Sequence, residues 1–168
     1  MKTTQQSSHP KPVITQTQNN TTLWIGHLQT DPTDHFAGQT FICPNDGLLD
    51  NIQVYSASVQ YPGDLRMTLH EFDAAAKIWG PAIAEATLSV EKKDGAKWIQ
   101  FDLPSIQLQK GKSYGFRLNA HNALIALGEA ATGNTQPFTG QEWNADSKDQ
   151  KGHYFSYFSL AFKVELCA

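Results

Sequence analysis

The stretch from residue 97 to residue 120 constrains the fold more than any other part of the chain. Residues 97–103 and 114–120 each alternate between apolar and mostly polar side chains, and a polar turn at Lys110-Gly111-Lys112 precedes the second run. A period of two places successive side chains on opposite faces of a β-strand. Strands this short must bury their apolar face against a second layer, so the pattern predicts an all-β fold.

Similar runs recur along the chain between turns rich in Gly, Pro, Asn and Asp. We predict further strands at residues 23–28, 36–43, 48–56, 65–70, 83–91, 124–130 and 158–166, the last being the longest. About nine short strands without a long amphipathic helix are typical of an antiparallel β-sandwich. The chain lacks the Cys…Trp…Cys spacing of immunoglobulin domains, which favours a jelly-roll-like sandwich.

Residues 1–22 differ from the rest of the chain because they are polar and rich in Thr, Gln, Ser and Asn. Only Val13 and Ile14 are strongly apolar there. Such a segment buries too little surface to offset the entropy lost on ordering. We therefore predict an extended N-terminal arm over residues 1–22 and a sandwich domain over 23–168. Val13 and Ile14 are the expected anchor of the arm on a neighbouring subunit.

Charge and hydropathy exclude two classes of partner. The net charge of −3 and the isoelectric point of about 6.0 argue against broad electrostatic binding of nucleic acid. No apolar run approaches the roughly 20 residues of a membrane span, and no signal-peptide segment follows Met1. Two cysteines, Cys43 and Cys167, are too few for a zinc site, and two unlinked thiols are favoured over a disulfide.

The sequence contains no motif that dictates a chemistry. It lacks a Gly-x-Ser-x-Gly elbow, a phosphate loop and a dinucleotide fingerprint, so we expect no enzyme activity. Glu129 and Glu142 can be nominated as a glycosidase pair, but so can any two acids. We expect no cofactor, although loop aspartates leave a structural calcium ion open. These aspartates are Asp31, Asp34, Asp46, Asp146 and Asp149.

Two tryptophans fall in predicted loops, where an indole can stack on the apolar face of a sugar while amides and carboxylates bind its hydroxyl groups. Trp79 precedes a Gly-Pro turn, and Trp143 lies in a long polar loop over residues 131–152. The candidate glycan-binding residues are Trp143, Glu142, Asn144, Asp146 and Trp79. The alternative is that both indoles cover the ends of the sandwich. Trp24 and Trp98 lie in predicted strands, where packing is the default.

The order of core and turn residues between Phe36 and Leu166 resembles jelly-roll modules of bacterial surface and carbohydrate-active proteins, and the sandwich domains of phage particles. The residues that carry this resemblance are Gln39, Phe41, Asp46, Gly47, Leu49, Ile52, Leu65, Met67, Leu69, Trp98, Phe101, Leu103, Leu108, Gly111, Tyr114 and Phe116. The resemblance implies a binding or structural module and not a catalyst, and it transfers no individual site.

Two functional hypotheses follow. The first is a non-catalytic module of a larger assembly, such as a phage virion or tail component of decoration or adhesin type. Its arm would bind neighbouring subunits in a homo- or hetero-oligomer, and its loops would face outward, toward cell-surface glycans. This hypothesis places the chain in a virion or an extracellular particle. The alternative is a stand-alone carbohydrate-binding module of a secreted bacterial protein. A small glycan-active enzyme is a third and weaker hypothesis.

Overall fold

Fourteen antiparallel β-strands form the protein in a computed structural model that describes residues 9–30, 32–131 and 138–167. Within these ranges the helical structure is limited to one 3₁₀ turn at Lys92–Asp94. The strands are β1 Lys11–Gln16, β2 Thr21–Leu28, β3 Thr33–Ile42, β4 Gly47–Tyr61, β5 Gly63–Asp73, β6 Ile78–Val90, β7 Lys97–Asp102, β8 Gln107–Leu108, β9 Ser113–Asn119, β10 Leu124–Ala131, β11 Glu142–Asp146, β12 His153–Phe155, β13 Phe158–Leu160 and β14 Phe162–Cys167.

The strands pair in the order β1-β14-β4-β10-β2-β3-β9-β5-β6, with the shorter strands added beside this path. β7 and β8 pair with β4, β13 with β10, and β11 with both β3 and β12. The sheet folds over on itself, because Phe162 of β14 and Phe116 of β9 lie far apart in this order yet their ring centroids are 5.6 Å apart. The predicted all-β, antiparallel sandwich is confirmed.

The core consists of every second residue of the long strands. Ile52 of β4 is opposite Val164 on one neighbour and Phe101 on the other, and Phe116 of β9 is opposite Leu69. All five side chains are buried. Directly opposite residues in antiparallel strands project from the same face, so the alternation seen in the sequence becomes one continuous apolar layer.

The expectation for the arm is corrected over its described part. β1 pairs with β14 of the same chain, and Ile14 lies opposite Val164 with only 4% of its surface exposed. Val13 is partly buried and packs against the same core. A strand that joins an existing edge gains backbone hydrogen bonds, so a mostly polar segment needs few apolar residues to stay there. The first eight residues of the predicted arm lie outside the described residues.

The final strand also differs from its prediction. The run over residues 158–166 is divided at Ala161, where the chain leaves β10 as its neighbour and continues beside β4. The longest of the described strands is instead β4, with 15 residues. The first half of β4 pairs with β14 and its second half pairs with β10. The strand is therefore long enough to connect these two neighbours. Cys43 and Cys167, both in the described part of the chain, are not joined by a disulfide.

Candidate functional site

An open cleft of about 380 Å³ lies on the outer face of β2, β10 and β4. In the ladder, Leu124 is opposite Gly26 on one side and Tyr61 on the other. Gly26 has φ +115°, and an added Cβ would lie 1.9 Å from the carbonyl oxygen of Ala123. Only glycine suits this position, and it lets β2 and β10 approach closely beneath the cleft. The lining residues are Trp24, Leu28, Gln29, Thr30, Gln60, Tyr61 and Leu124.

Two aromatic side chains in this cleft remain accessible to solvent. Trp24 is 42% exposed and Tyr61 is 36% exposed, while Leu124 is buried between their strands. The amides of Gln29 and Gln60 and the hydroxyl of Thr30 add donors and acceptors at the rim. None of the described lining residues is charged. This combination suits a neutral ligand with one apolar face and several hydroxyl groups.

Trp24 was expected to be a packing residue, and its exposure corrects that prediction. The missed signal is the alternation within β2. Ile25 is fully buried, so its neighbours Trp24 and Gly26 must belong to the opposite, outer face. The sequence marks the alternation clearly, but it does not show which of the two faces is inward until the neighbouring strands are known.

The predicted glycan-binding residues do not form an exposed loop. Glu142, Trp143, Asn144 and Asp146 belong to β11, which pairs with β3 and β12. Trp143 is only 3% exposed, and its indole N–H donates to the carbonyl oxygen of Lys151 at 2.9 Å. Its surroundings are therefore those of the packing alternative. Residues 132–137 of the predicted loop lie outside the described residues.

The structure does bring Trp79 and Trp143 together. Trp79 lies in β6, and the ring centroids of the two indoles are 5.5 Å apart. The guanidinium carbon of Arg117 lies 4.2 Å from the centroid of Trp79 and 4.4 Å from that of Trp143. Trp79 fits closely over Gly115, where an added Cβ would be 2.5 Å from the indole. The three side chains form a cation–π cluster on the outer face of β3, β9 and β5.

A second cavity, of about 340 Å³, lies beside this cluster and is hereafter the Arg117 groove. Its lining residues are Phe36, Arg66, Thr68, His70, Arg117, Leu118, Asn119, Trp143 and Gln150. His70 Nδ1 is 2.8 Å from the carbonyl oxygen of Gly80, which only accepts, so Nδ1 carries the proton. Nε2 then accepts from the Thr68 hydroxyl at 2.8 Å. Burial lowers the pKa of His70 and keeps the ring neutral at pH 7.

The two acids nominated as a glycosidase pair are also neighbours. Glu142 and Glu129 are both buried. Burial, followed by the hydrogen bond and charge of Glu129, raises the pKa of Glu142 to about 10. Neither acid lines the cleft at Trp24 or the Arg117 groove. The pair therefore does not face either cavity, where a substrate would bind.

The described loop aspartates considered for calcium do not form a cluster of metal ligands. Among the residues that the structure describes, no three His, Cys, Asp or Glu side chains are grouped to hold a metal ion. Asp146 instead accepts hydrogen bonds from the backbone N–H groups of Asp149 and Lys148 in a turn, and these bonds lower the pKa of its carboxyl group. Asp31 lies outside the described residues. Within the described ranges, no helix has the length and apolar character needed to cross a membrane.

Comparisons with known proteins do not identify a family. Neither a protein-family model nor a curated protein matches the chain. An aminopeptidase structure from the marine sediment archaeon Thaumarchaeota archaeon is 7% identical with a TM-score of 0.36, covering 95% of this chain and 37% of that chain. A structure of infectious bursal disease virus, Gt strain, is 13% identical with a TM-score of 0.18, covering 96% and 41%. This chain thus spans well under half of either, and TM-scores this low support no functional argument.

Proposed function

We propose that the protein is a non-catalytic β-sandwich binding module that takes a neutral saccharide in the cleft at Trp24. The observation that carries this proposal is the pair of solvent-exposed aromatic side chains, Trp24 and Tyr61, on one uncharged face. Exposed apolar side chains that lie together in one cleft with polar groups at its rim are typical of a ligand-binding surface. The glycan hypothesis is thereby moved from the residues around Trp143 to the outer face of β2, β10 and β4.

The chemistry of the cleft matches a pyranose ring. One face of a pyranose presents C–H groups that pack on the indole or phenol ring, and its edge presents hydroxyl groups. Gln29, Gln60 and Thr30 are positioned at the rim to exchange hydrogen bonds with those hydroxyls. The described lining holds no carboxylate and no histidine, so it offers no general acid or base for glycoside hydrolysis. This supports binding without catalysis, and no cofactor is required.

The test is retention on a glycan array. Trp24→Ala should abolish retention, because the larger of the two exposed rings is lost. Tyr61→Ala should weaken it. Tyr157→Ala is the matched control, since Tyr157 is an exposed aromatic that does not line the cleft. Wild-type protein that retains no glycan, or a folded Trp24→Ala protein that retains glycans as wild type does, would overturn the proposal.

A second candidate function is that of a subunit in a larger particle, such as a virion or tail component. The observation in its favour is β6, a 13-residue strand at the end of the sheet whose only partner among the described strands is β5. Ile78 at its start is 60% exposed. An open strand edge can pair with a strand of another molecule, here a second copy of this chain. This function would place the chain in an extracellular particle, whereas a saccharide-binding module alone fits the cell surface.

Light scattering, which measures the mass of the particle in solution, tests whether the open edge of β6 joins copies of the chain. If β6 joins copies, the wild-type protein should be oligomeric, and the double variant Ile78→Lys/Ala82→Lys should be monomeric because charged residues oppose edge pairing. Tyr157→Lys places one lysine at an exposed site outside β6 and should leave the oligomer intact. A wild-type monomer at all concentrations would remove this second candidate and leave the saccharide module.

A further inference from the structure

The Arg117 groove carries an uncompensated positive charge. Arg66 is paired with Glu85, but no hydrogen bond or ion pair joins the side chain of Arg117 to any described residue. Its Nε atom is buried without an acceptor. No residue in the described lining is acidic, and His70 is neutral. The groove therefore holds one cation whose partner is absent from the described parts of the chain.

The surroundings of Arg117 fix the position of this cation. The faces of the two indoles contact the guanidinium. These contacts restrict the motion of the Arg117 side chain without using any of its N–H donors. Gly38, opposite Arg117 on β3, gives the indoles room to pack over the sheet, because an added Cβ would lie 3.1 Å from the ring of Trp143 and 3.5 Å from that of Trp79. The closely packed indoles hold the cation in one position, which makes a preorganised site.

Further donors line the same groove. Asn119 lies two residues after Arg117 on β9, so both side chains emerge on the outer face, and Asn119 is opposite Arg66 on β5. Gln150 completes the polar part of the lining. The guanidinium has N–H groups without an acceptor, and it lies beside amide donors and two indole rings. These groups suit an oxyanion that is attached to a flat or apolar ligand.

We propose that the Arg117 groove binds an oxyanion, a carboxylate or sulfate group carried by a small ligand, with the guanidinium of Arg117 as its main partner. The site is separate from the cleft at Trp24, since the two cavities share no lining residue. The proposal stands independently of the saccharide proposal, and either can fail alone.

Nuclear magnetic resonance of the full chain tests the site through the indole N–H signals of Trp79 and Trp143. Sodium glucuronate and sodium sulfate are the anionic probes, and glucose is the uncharged match for glucuronate. Both anions should shift the two signals, with less binding at high NaCl because charge attraction is screened. Glucose should leave them unchanged. The signal of Trp24 reports separately on the other cleft. A response to glucuronate alone would identify a carboxylate ligand, and equal responses would identify a general oxyanion site.

Variants connect the signal to the guanidinium. Arg117→Met should weaken anion binding by about tenfold or more, since a charge-assisted hydrogen bond is lost. Lys163→Met is the matched control, because Lys163 lies 4.1 Å from the Trp98 ring, a cation–π contact outside the groove. If Arg117→Met does not fold, Arg117→Lys replaces it and should also bind glucuronate more weakly, having lost the planar fork. Absence of any anion-dependent shift, or full binding by the folded Arg117 variant, would overturn the proposal.

Discussion

Glu142 is a buried carboxylic acid whose pKa is strongly raised. Its carboxyl group is buried beside Glu129, and two carboxylates cannot both ionise in such a place. The ordinary pKa of 4.5 rises to about 10, so the carboxyl stays protonated in the native protein at neutral pH. The two acids share a proton, so the pKa describes the pair and not one carboxyl group alone.

Stability should fall as pH rises between about 4.5 and 10. Above pH 4.5 the unfolded chain has lost a proton that the native protein keeps at Glu142, so unfolding releases a proton and alkaline pH favours it. The slope is at most about 1.4 kcal/mol per pH unit for one proton. Urea denaturation at pH 7 and pH 9 measures it, because the lowered pKa of His70 has the opposite effect on stability below about pH 6.5. Glu142→Gln should flatten the dependence, whereas Glu91→Gln, at an exposed position, should not.

A pH-independent free energy of unfolding in the wild type would show that Glu142 is ionised or solvated in the native state. The opposite slope between pH 7 and pH 9 would also contradict the prediction, because it requires a group whose pKa is lower in the folded protein than in the unfolded chain.

At the scale of elements, the alternation of apolar and polar residues predicted most strands. The remaining strands form because they pair with neighbours that are distant in sequence. β9 and β7 were predicted because each has one clear apolar face. The segment that forms β11 was predicted as a loop because it is short and mostly polar. It forms a strand through pairing with β3, which lies far away in sequence. β1 was assigned to an arm for the same reason. Propensity cannot indicate a strand whose stability comes from its neighbours.

The role of β1 leads to a stability prediction. Ile14→Ala should lower the free energy of unfolding by about 2–4 kcal/mol, since a fully buried side chain is truncated in the core. Val13→Ala, at the adjacent and only partly buried position, should cost less. Chemical denaturation of both variants makes the comparison. If both substitutions leave the free energy of unfolding unchanged, β1 does not stabilise its own domain, as expected for an N-terminal arm.

At the scale of the whole molecule, the candidate cleft was beyond reach of the sequence. Trp24, Tyr61 and Leu124 come from three distant strands, and they meet only because β10 lies between β2 and β4. The order of strands in a sheet is a tertiary property, and it decides which faces turn outward. The same holds for Arg117, whose position between two indoles depends on the pairing of β3, β9 and β5.

The position of β14 between β1 and β4 has a consequence for how the protein is made. Synthesis proceeds from the N-terminus, so β1 and β4 leave the ribosome long before the strand that must lie between them. Until residues 162–167 emerge, both strands have an unpaired edge and the nascent chain exposes backbone that can pair wrongly. Closure of the sheet therefore depends on contacts between residues that are far apart in sequence, which slows folding and delays it until synthesis of the described chain is almost complete.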